Sequence, residues 1–287
     1  MGDFLPVGLH MGIPHDRYHA DPCERPSLSA HIAMELIKHS AGHAAKIHPR
    51  IGGERHAESN GAMDTGSLLH GLILGGGAPI VEVDAKAWNT NDAKAKRDEA
   101  MKAGKIAVLA HKFARIQTTA AAIRKVLPVD IGAADTEVTA IWESDGTPCR
   151  ARIDALFPAL IHDLKFTDDA TVAGADRNIA ASGYHIQAAA DIDAIETLFP
   201  TLAGRVRFVL TFIEWENPEI GIMQREIRGQ LLDVGRKQWN RAKAIWGQCL
   251  ASKAWPGYST EIVEAQCPPW VASGELQAQI DNQRPPF

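Results

Sequence analysis

Between residues 136 and 166 the chain changes hydrophobic period. Thr136–Trp142, Cys149–Phe157 and Leu160–Phe166 are short runs rich in β-branched and apolar residues. Ser144-Asp145-Gly146-Thr147-Pro148 separates the first pair and Pro158-Ala159 the second. Strand-like runs divided by turn residues at such close spacing predict a three-strand antiparallel meander. A second strand pair, Arg205–Glu214 and Ile220–Ile227, turns around Glu216-Asn217-Pro218. Helical periods fill the remainder. One helix begins at Ser27 or Ser29, a serine N-cap, and one lies in MDTGSLLHGLILGGG, stopped by its glycines. Others cover residues 92–103, 110–126, 174–198 and Leu231–Ser252, while His48–Asn60 reads as a loop. This order predicts a single α/β domain with a central mixed β-sheet flanked by helices. Its bounds are 27–270, after an irregular N-terminal arm over 1–26 and before a tail over 271–287.

Composition narrows the class. Of 287 residues, 45% are hydrophobic, enough for a buried core and too many for a disordered chain. No apolar run approaches the roughly 20 residues that span a bilayer. The N-terminus lacks a basic start followed by an apolar stretch, so no secretory signal is expected. Cys23, Cys149, Cys249 and Cys267 form no CxxC pair and read as reduced thiols of a cytoplasmic protein. His39 and His43 lie four apart without an HExxH context, which favours a solvated helix face over a metal site. The net charge of −5 argues against nucleic acid, but its distribution does not. Lys86–Lys125 holds ten Lys or Arg against three acids, and Arg225–Lys253 holds seven against two. Each could be a solvated helix face; beside a site that cuts phosphodiesters they would line a channel for the backbone.

The chemistry concentrates in CRARIDALFPALIHDLKF. Asp163 and Lys165 are two apart on one strand and share a face, while Leu164 turns into the core. A turn centred on Pro158-Ala159 sets opposite residues whose numbers sum to 317, so Asp154 faces Asp163. Opposed Cβ atoms lie about 4.5–5.5 Å apart. Two carboxylates at that range repel unless a cation sits between them, and oxygen donors so placed suit Mg²⁺ or Mn²⁺. Lys165 could stabilise charge growing on a phosphate. A surface salt-bridge cluster on a hairpin is the alternative that these residues leave open.

Asp154 followed by Asp163-Leu164-Lys165 resembles the PD-(D/E)xK nuclease signature. Further stretches resemble its RecE-type (exonuclease VIII-like) branch of phage and prophage exonucleases, within the RecB-like and lambda-exonuclease group. These are Gly66-Ser67-Leu68-Leu69-His70, the basic Asn89–Leu109, Gly183-Tyr184-His185-Ile186-Gln187, FVLTFIEWENPEIGI, and WPGYS with PPW. The resemblance runs from about residue 20 to 270. It departs at Asp191, where related proteins often carry Tyr, and at Ser40-Ala41, where they carry Ser-Pro.

The resemblance implies a restriction-endonuclease-like core and roles for matching positions. Asp154, Asp163, the Leu164 carbonyl and His70 would surround the metal, with Glu137 supporting the fold or a second ion. Lys165 would be the catalytic lysine. Tyr184 and Gln187, one helical turn apart, would position DNA or that lysine. Ser29, at a helix N-terminus, could hold a terminal phosphate or simply cap the helix; apart from the resemblance, Arg150 and Arg152, on the same strand as Asp154, are candidate DNA contacts. The implied activity is Mg²⁺-dependent digestion of linear double-stranded DNA, 5′→3′. It would leave 3′ overhangs for a single-strand annealing protein, and the enzyme would be a phage-encoded homo-oligomeric ring acting in a bacterial cytoplasm. An endonuclease or single-strand nuclease on the same fold, and a non-catalytic module that binds DNA ends, are the alternatives.

Overall fold

The computed structural model describes residues 4–53, 61–216, 219–267 and 269–273. Residues 54–60 of the expected loop, 217–218 of the expected turn and 274–287 of the expected tail lie outside them. The chain divides into two compact units, Met1–Gly257 and Tyr258–Phe287. In the first, β1 (Gly8–His10) and α1 (His15–His19) precede α2 (Ala30–Lys38), α3 (Ala41–Ile47) and α4 (Gly61–Leu74). Next come β2 (Ile80–Val83), α5 (Asn91–Lys102), β3 (Ile106–Leu109) and α6 (Ala110–Val126). The meander is β4 (Asp135–Ser144), β5 (Thr147–Phe157) and β6 (Leu160–Phe166). After it run α7 (Val172–Ser182), α8 (Tyr184–Leu198), β7 (Arg207–Glu214), β8 (Gly221–Glu226) and α9 (Gly229–Ser252). In the second unit, residues 269–273 are helical.

The six-stranded sheet has the order β1-β4-β5-β6-β7-β8 and is mixed: β6 and β7 are parallel, the other neighbours antiparallel. The β4–β5 hairpin turns through Asp145 and Gly146, at φ +52 and +75. Two successive positive φ values match the twist of the flanking strands. The β5–β6 hairpin closes over Pro158-Ala159 with Phe157 opposite Leu160 and Ala155 opposite His162, the register predicted from the sequence. The parallel β6–β7 pair needs a crossover, which α7 and α8 provide.

Two apolar clusters cover the two faces. In the first, Val138, Ala140, Trp142, Ile153, Phe208 and Phe212 of the sheet pack with Ile32 and Leu36 of α2, Ile186 and Ile192 of α8, and Trp239 and Trp246 of α9. In the second, Leu164 and Ile213 pack with Leu69 and Ile73 of α4 and Phe113, Ile116 and Ile123 of α6. Helix α8 is buried nearly all round and is rich in alanine, which lets backbones approach closely. A Cβ on Gly235 of α9 would lie 2.0 Å from the His185 carbonyl oxygen of α8.

Three expectations are corrected. Residues 8–10 of the arm are an edge strand of the sheet, and residues 15–19 are a helix. The helix expected over 174–198 is two helices, because Gly183 takes φ +68 and redirects the chain. The parallel pair β2–β3 lies where no strand was expected: its runs of four residues are too short to show a period. No described helix is long and apolar enough to cross a membrane.

Candidate active site

The strand registers line up three carboxylates. Thr136 pairs with Ala155 and Val138 with Ile153, which sets Glu137 across from Asp154. The β5–β6 ladder ends at Ala155 and His162, one residue short of Asp154 and Asp163, which lie close enough to act on each other electrostatically. At Glu137 the regular ladder breaks. Its backbone lies at φ +54, a left-handed conformation costing a non-glycine residue about 1 kcal/mol or more. Asp154 Oδ2 accepts a hydrogen bond from the Leu164 N–H at 2.9 Å. The pleat also changes here. Ile153 packs in the cluster with α8 and α9, whereas Ala155, two residues on, packs with α4 and α6. A regular strand would set both on one face. The carboxylates therefore stand at the seam between the two cores, reached by α4 and by α8.

From α4, His70 enters between two of them. Its Nε2 lies 2.8 Å from Asp154 Oδ2 and its Nδ1 lies 3.4 Å from Glu137 Oε1. Ligand atoms of His70, Glu137 and Asp154 all fall within 4.8 Å of one another. One imidazole and two carboxylates are a donor set for a divalent cation. Burial opposes a charge on His70, but the two carboxylates outweigh it and push its pKa up to about 10. Burial likewise opposes charge on Asp154 and Glu137, yet His70, with Lys165 for the first and Arg152 for the second, holds both below the usual carboxylate range.

Asp163 has different partners. Its Oδ2 lies 2.6 Å from Lys165 Nζ, and its Oδ1 accepts a hydrogen bond from the Gln187 amide of α8. Burial raises the Asp163 pKa despite Lys165. Burial pulls Lys165 the other way from Asp163 and Asp154, and the carboxylates prevail, so its pKa is raised. The ammonium also sits 4.6 Å from the centre of the Tyr184 ring. Tyr184 and Gln187 thus face this ion pair from one turn of α8. The next turn brings Asp191, 2% exposed, whose carboxyl burial and the charge of Asp163 push well above the usual range.

His70, Glu137, Asp154, Asp163, Lys165, Tyr184 and Gln187, all expected at the site, are therefore brought together. Leu164 lies among them with its side chain 2% exposed, pointing into the core as expected. Three further residues stand elsewhere. Ser29 is buried and its hydroxyl accepts from the Ile32 N–H at 3.4 Å, capping α2. Arg150, expected to contact DNA, is 4% exposed and bonds Ser27 at 2.7–2.8 Å and Asp21 at 3.4 Å. It joins the arm to the sheet and offers no surface to a nucleic acid. Arg152 is largely covered, donating to Glu137 and to the Ile13 carbonyl. Of the second basic stretch, Lys243 is buried against Ser144 and Asp145.

Two participants were not read from the sequence as parts of the site. Asp191 was noted only as a departure, although its place four residues after Gln187 on one helix face is a usable signal. Tyr18, buried beneath the Arg150 and Arg152 guanidinium groups at 5.7 and 5.8 Å, lies on an arm with no strong periodicity.

Residues 35–266 match the family model of a PDDEXK-like domain of unknown function (DUF3799). No curated protein matches the sequence. Among solved structures the chain resembles the crystal structure of a "Putative exonuclease" from Eubacterium rectale, with a TM-score of 0.56 and 13% identity over 90% of this chain and 97% of that one. At that identity the likeness is one of fold.

Proposed function

Because the chain belongs to the family of the PDDEXK-like domain DUF3799, we propose that it is a metal-dependent deoxyribonuclease that digests linear double-stranded DNA from its ends. The observation that carries this reading is the His70–Glu137–Asp154 donor set lying against the Asp163–Lys165 ion pair. A divalent cation held by the donor set would neutralise charge on the scissile phosphate and acidify a bound water. The protein groups have separate tasks. Lys165, its pKa raised, is a fixed ammonium rather than a base, and stabilises the charge that builds on the phosphate during in-line attack. Asp163 aims that ammonium, and the Gln187 amide aims Asp163. Asp191, one turn further along α8, is buried behind them, and burial with the charge of Asp163 disfavours its ionised form.

The finer reading is a RecE-type exonuclease that uses Mg²⁺, proceeds 5′→3′ and leaves 3′ single strands. An annealing protein of phage-type recombination would take up those strands, and a homo-oligomeric ring would hold the duplex. Its supports are the sequence resemblance, the fold shared with a protein named as an exonuclease, and the exposed basic residues of α5 and α6. Linear duplexes labelled at either the 5′ or the 3′ end, beside covalently closed circles, test it. With Mg²⁺, loss of 5′ label with circles intact and no cutting by Lys165→Ala is expected. Loss of 3′ label first would reverse the polarity, and nicked circles would mark an endonuclease. Binding of ends without cleavage by wild type would remove the catalytic claim.

A further inference from the structure

Glu137 is held by its backbone, by Gly76 and by Arg152. Its backbone is left-handed, at φ +54. On one side the chain approaches so closely that a Cβ on Gly76 would lie 2.6 Å from Glu137 Cγ and 3.1 Å from Cδ. The glycine run that ends α4 thus has a use beyond stopping the helix. On another side the Arg152 Nε donates to Glu137 Oε2, which leaves Oε1 directed at His70. Arg152 is itself fixed. Its Nη1 donates to the Ile13 carbonyl at 3.0 Å, and its guanidinium lies 5.8 Å over the Tyr18 ring. The chain that carries Ile13 and Tyr18 is anchored by the β1–β4 pairing before them and by buried Asp21 after them. A carboxylate needed only to hold a strand would require neither the strained backbone nor a rigid fork.

We propose that Arg152 and Gly76 are positioning residues that set the Glu137 carboxylate for metal binding, with Ile13 and Tyr18 of the N-terminal segment holding Arg152 in place. This rests on the reading of His70, Glu137 and Asp154 as metal-binding. Arg152 is not one of the donor groups; it acts through Glu137. A nearby guanidinium also repels a cation, so deleting its charge would mix two effects. Arg152→Lys keeps the charge and loses the planar fork, isolating geometry. Gly76→Ala disturbs Glu137 from the opposite side without touching any charge.

The test is Mn²⁺ binding to the full chain, without DNA, followed by the paramagnetic resonance signal of free Mn²⁺. Wild type, R152K, G76A, E137Q and the doubles R152K/E137Q and G76A/E137Q are compared. We expect R152K and G76A each to weaken Mn²⁺ binding by about tenfold, and each double to bind no more weakly than E137Q alone. Thermal unfolding of each variant separates this from loss of structure. A merely structural Arg152 would lower the melting temperature and leave Mn²⁺ affinity unchanged, overturning the proposal. So would losses in the doubles that multiply. Wild type that binds no Mn²⁺ would instead remove the metal-centre reading beneath it.

Discussion

The His70 proton gives the sharpest prediction. With a pKa pushed up to about 10, His70 is an imidazolium at pH 7, shared between Asp154 and Glu137. An imidazole ligates a metal only after losing that proton. At pH 7 the proton is held about three pH units below its pKa, which weakens apparent metal affinity ~1000-fold, or about 4 kcal/mol. Below pH 10 each unit of pH upward should tighten binding by up to about tenfold. Asp154 and Glu137, held low by their partners, are already ionised and add no proton. Calorimetric titration of Mn²⁺ at pH 7, in buffers that differ in ionisation enthalpy, should show about one proton released per ion. In His70→Gln that number should fall. Wild type that binds Mn²⁺ with no proton release and no pH dependence would refute the reasoning. His70 would then be a cationic clamp between two carboxylates and not a ligand.

Three further outcomes follow from the geometry. Asp21 is buried against Ser27, His48 and Arg150; burial alone would raise its pKa, but these partners lower it to about 2. A depressed carboxyl contributes stability above its unfolded pKa and loses it as pH falls through the folded one. Urea unfolding should therefore show about 2 kcal/mol disappearing between pH 4 and pH 2, and Asp21→Asn should remove that dependence; an unchanged acid profile would count against it. Gly235→Ala sets a Cβ 2.0 Å from a backbone carbonyl that cannot yield like a side chain. It should cost about 1–3 kcal/mol, and an unchanged melting temperature would contradict the close approach of α8 and α9. Gln187→Leu removes the amide from buried Asp163 Oδ1, for about 1–3 kcal/mol of stability, and should lower cleavage more than DNA binding in gel-shift assays. Equal loss of both would assign Gln187 to DNA contact instead.

Much of this site was legible because a β-hairpin is arithmetic. Pro158-Ala159 fixed the pairing of β5 with β6 as far as Ala155 and His162, and so carried Asp154 to the side of Asp163 and Lys165. The same arithmetic at Asp145-Gly146 pairs residues summing to 291 and would have placed Glu137 beside Asp154 with no appeal to resemblance. His70 was reachable only through its resemblance, since it lies 84 residues from the carboxylate it touches. Nothing local marks which face of α4 meets the sheet.

The sequence by itself determined the strands of the meander, their register, most of the helices, and the charge-bearing residues on the central hairpin. These follow from interactions between near neighbours: turn chemistry, two-residue and 3.6-residue periods, and capping. Only the tertiary structure decided which charges remain for chemistry. Arg150 looked like a DNA contact, and burial turned it into the link that holds the arm. The arm looked irregular because an edge strand of three residues has too little pattern to declare itself. The change of face at Asp154 and the left-handed backbone of Glu137 arise where two cores, built from segments far apart in the chain, compete for one stretch of sheet. That competition is not written in any local window, because its terms are contacts that exist only once the helices have packed.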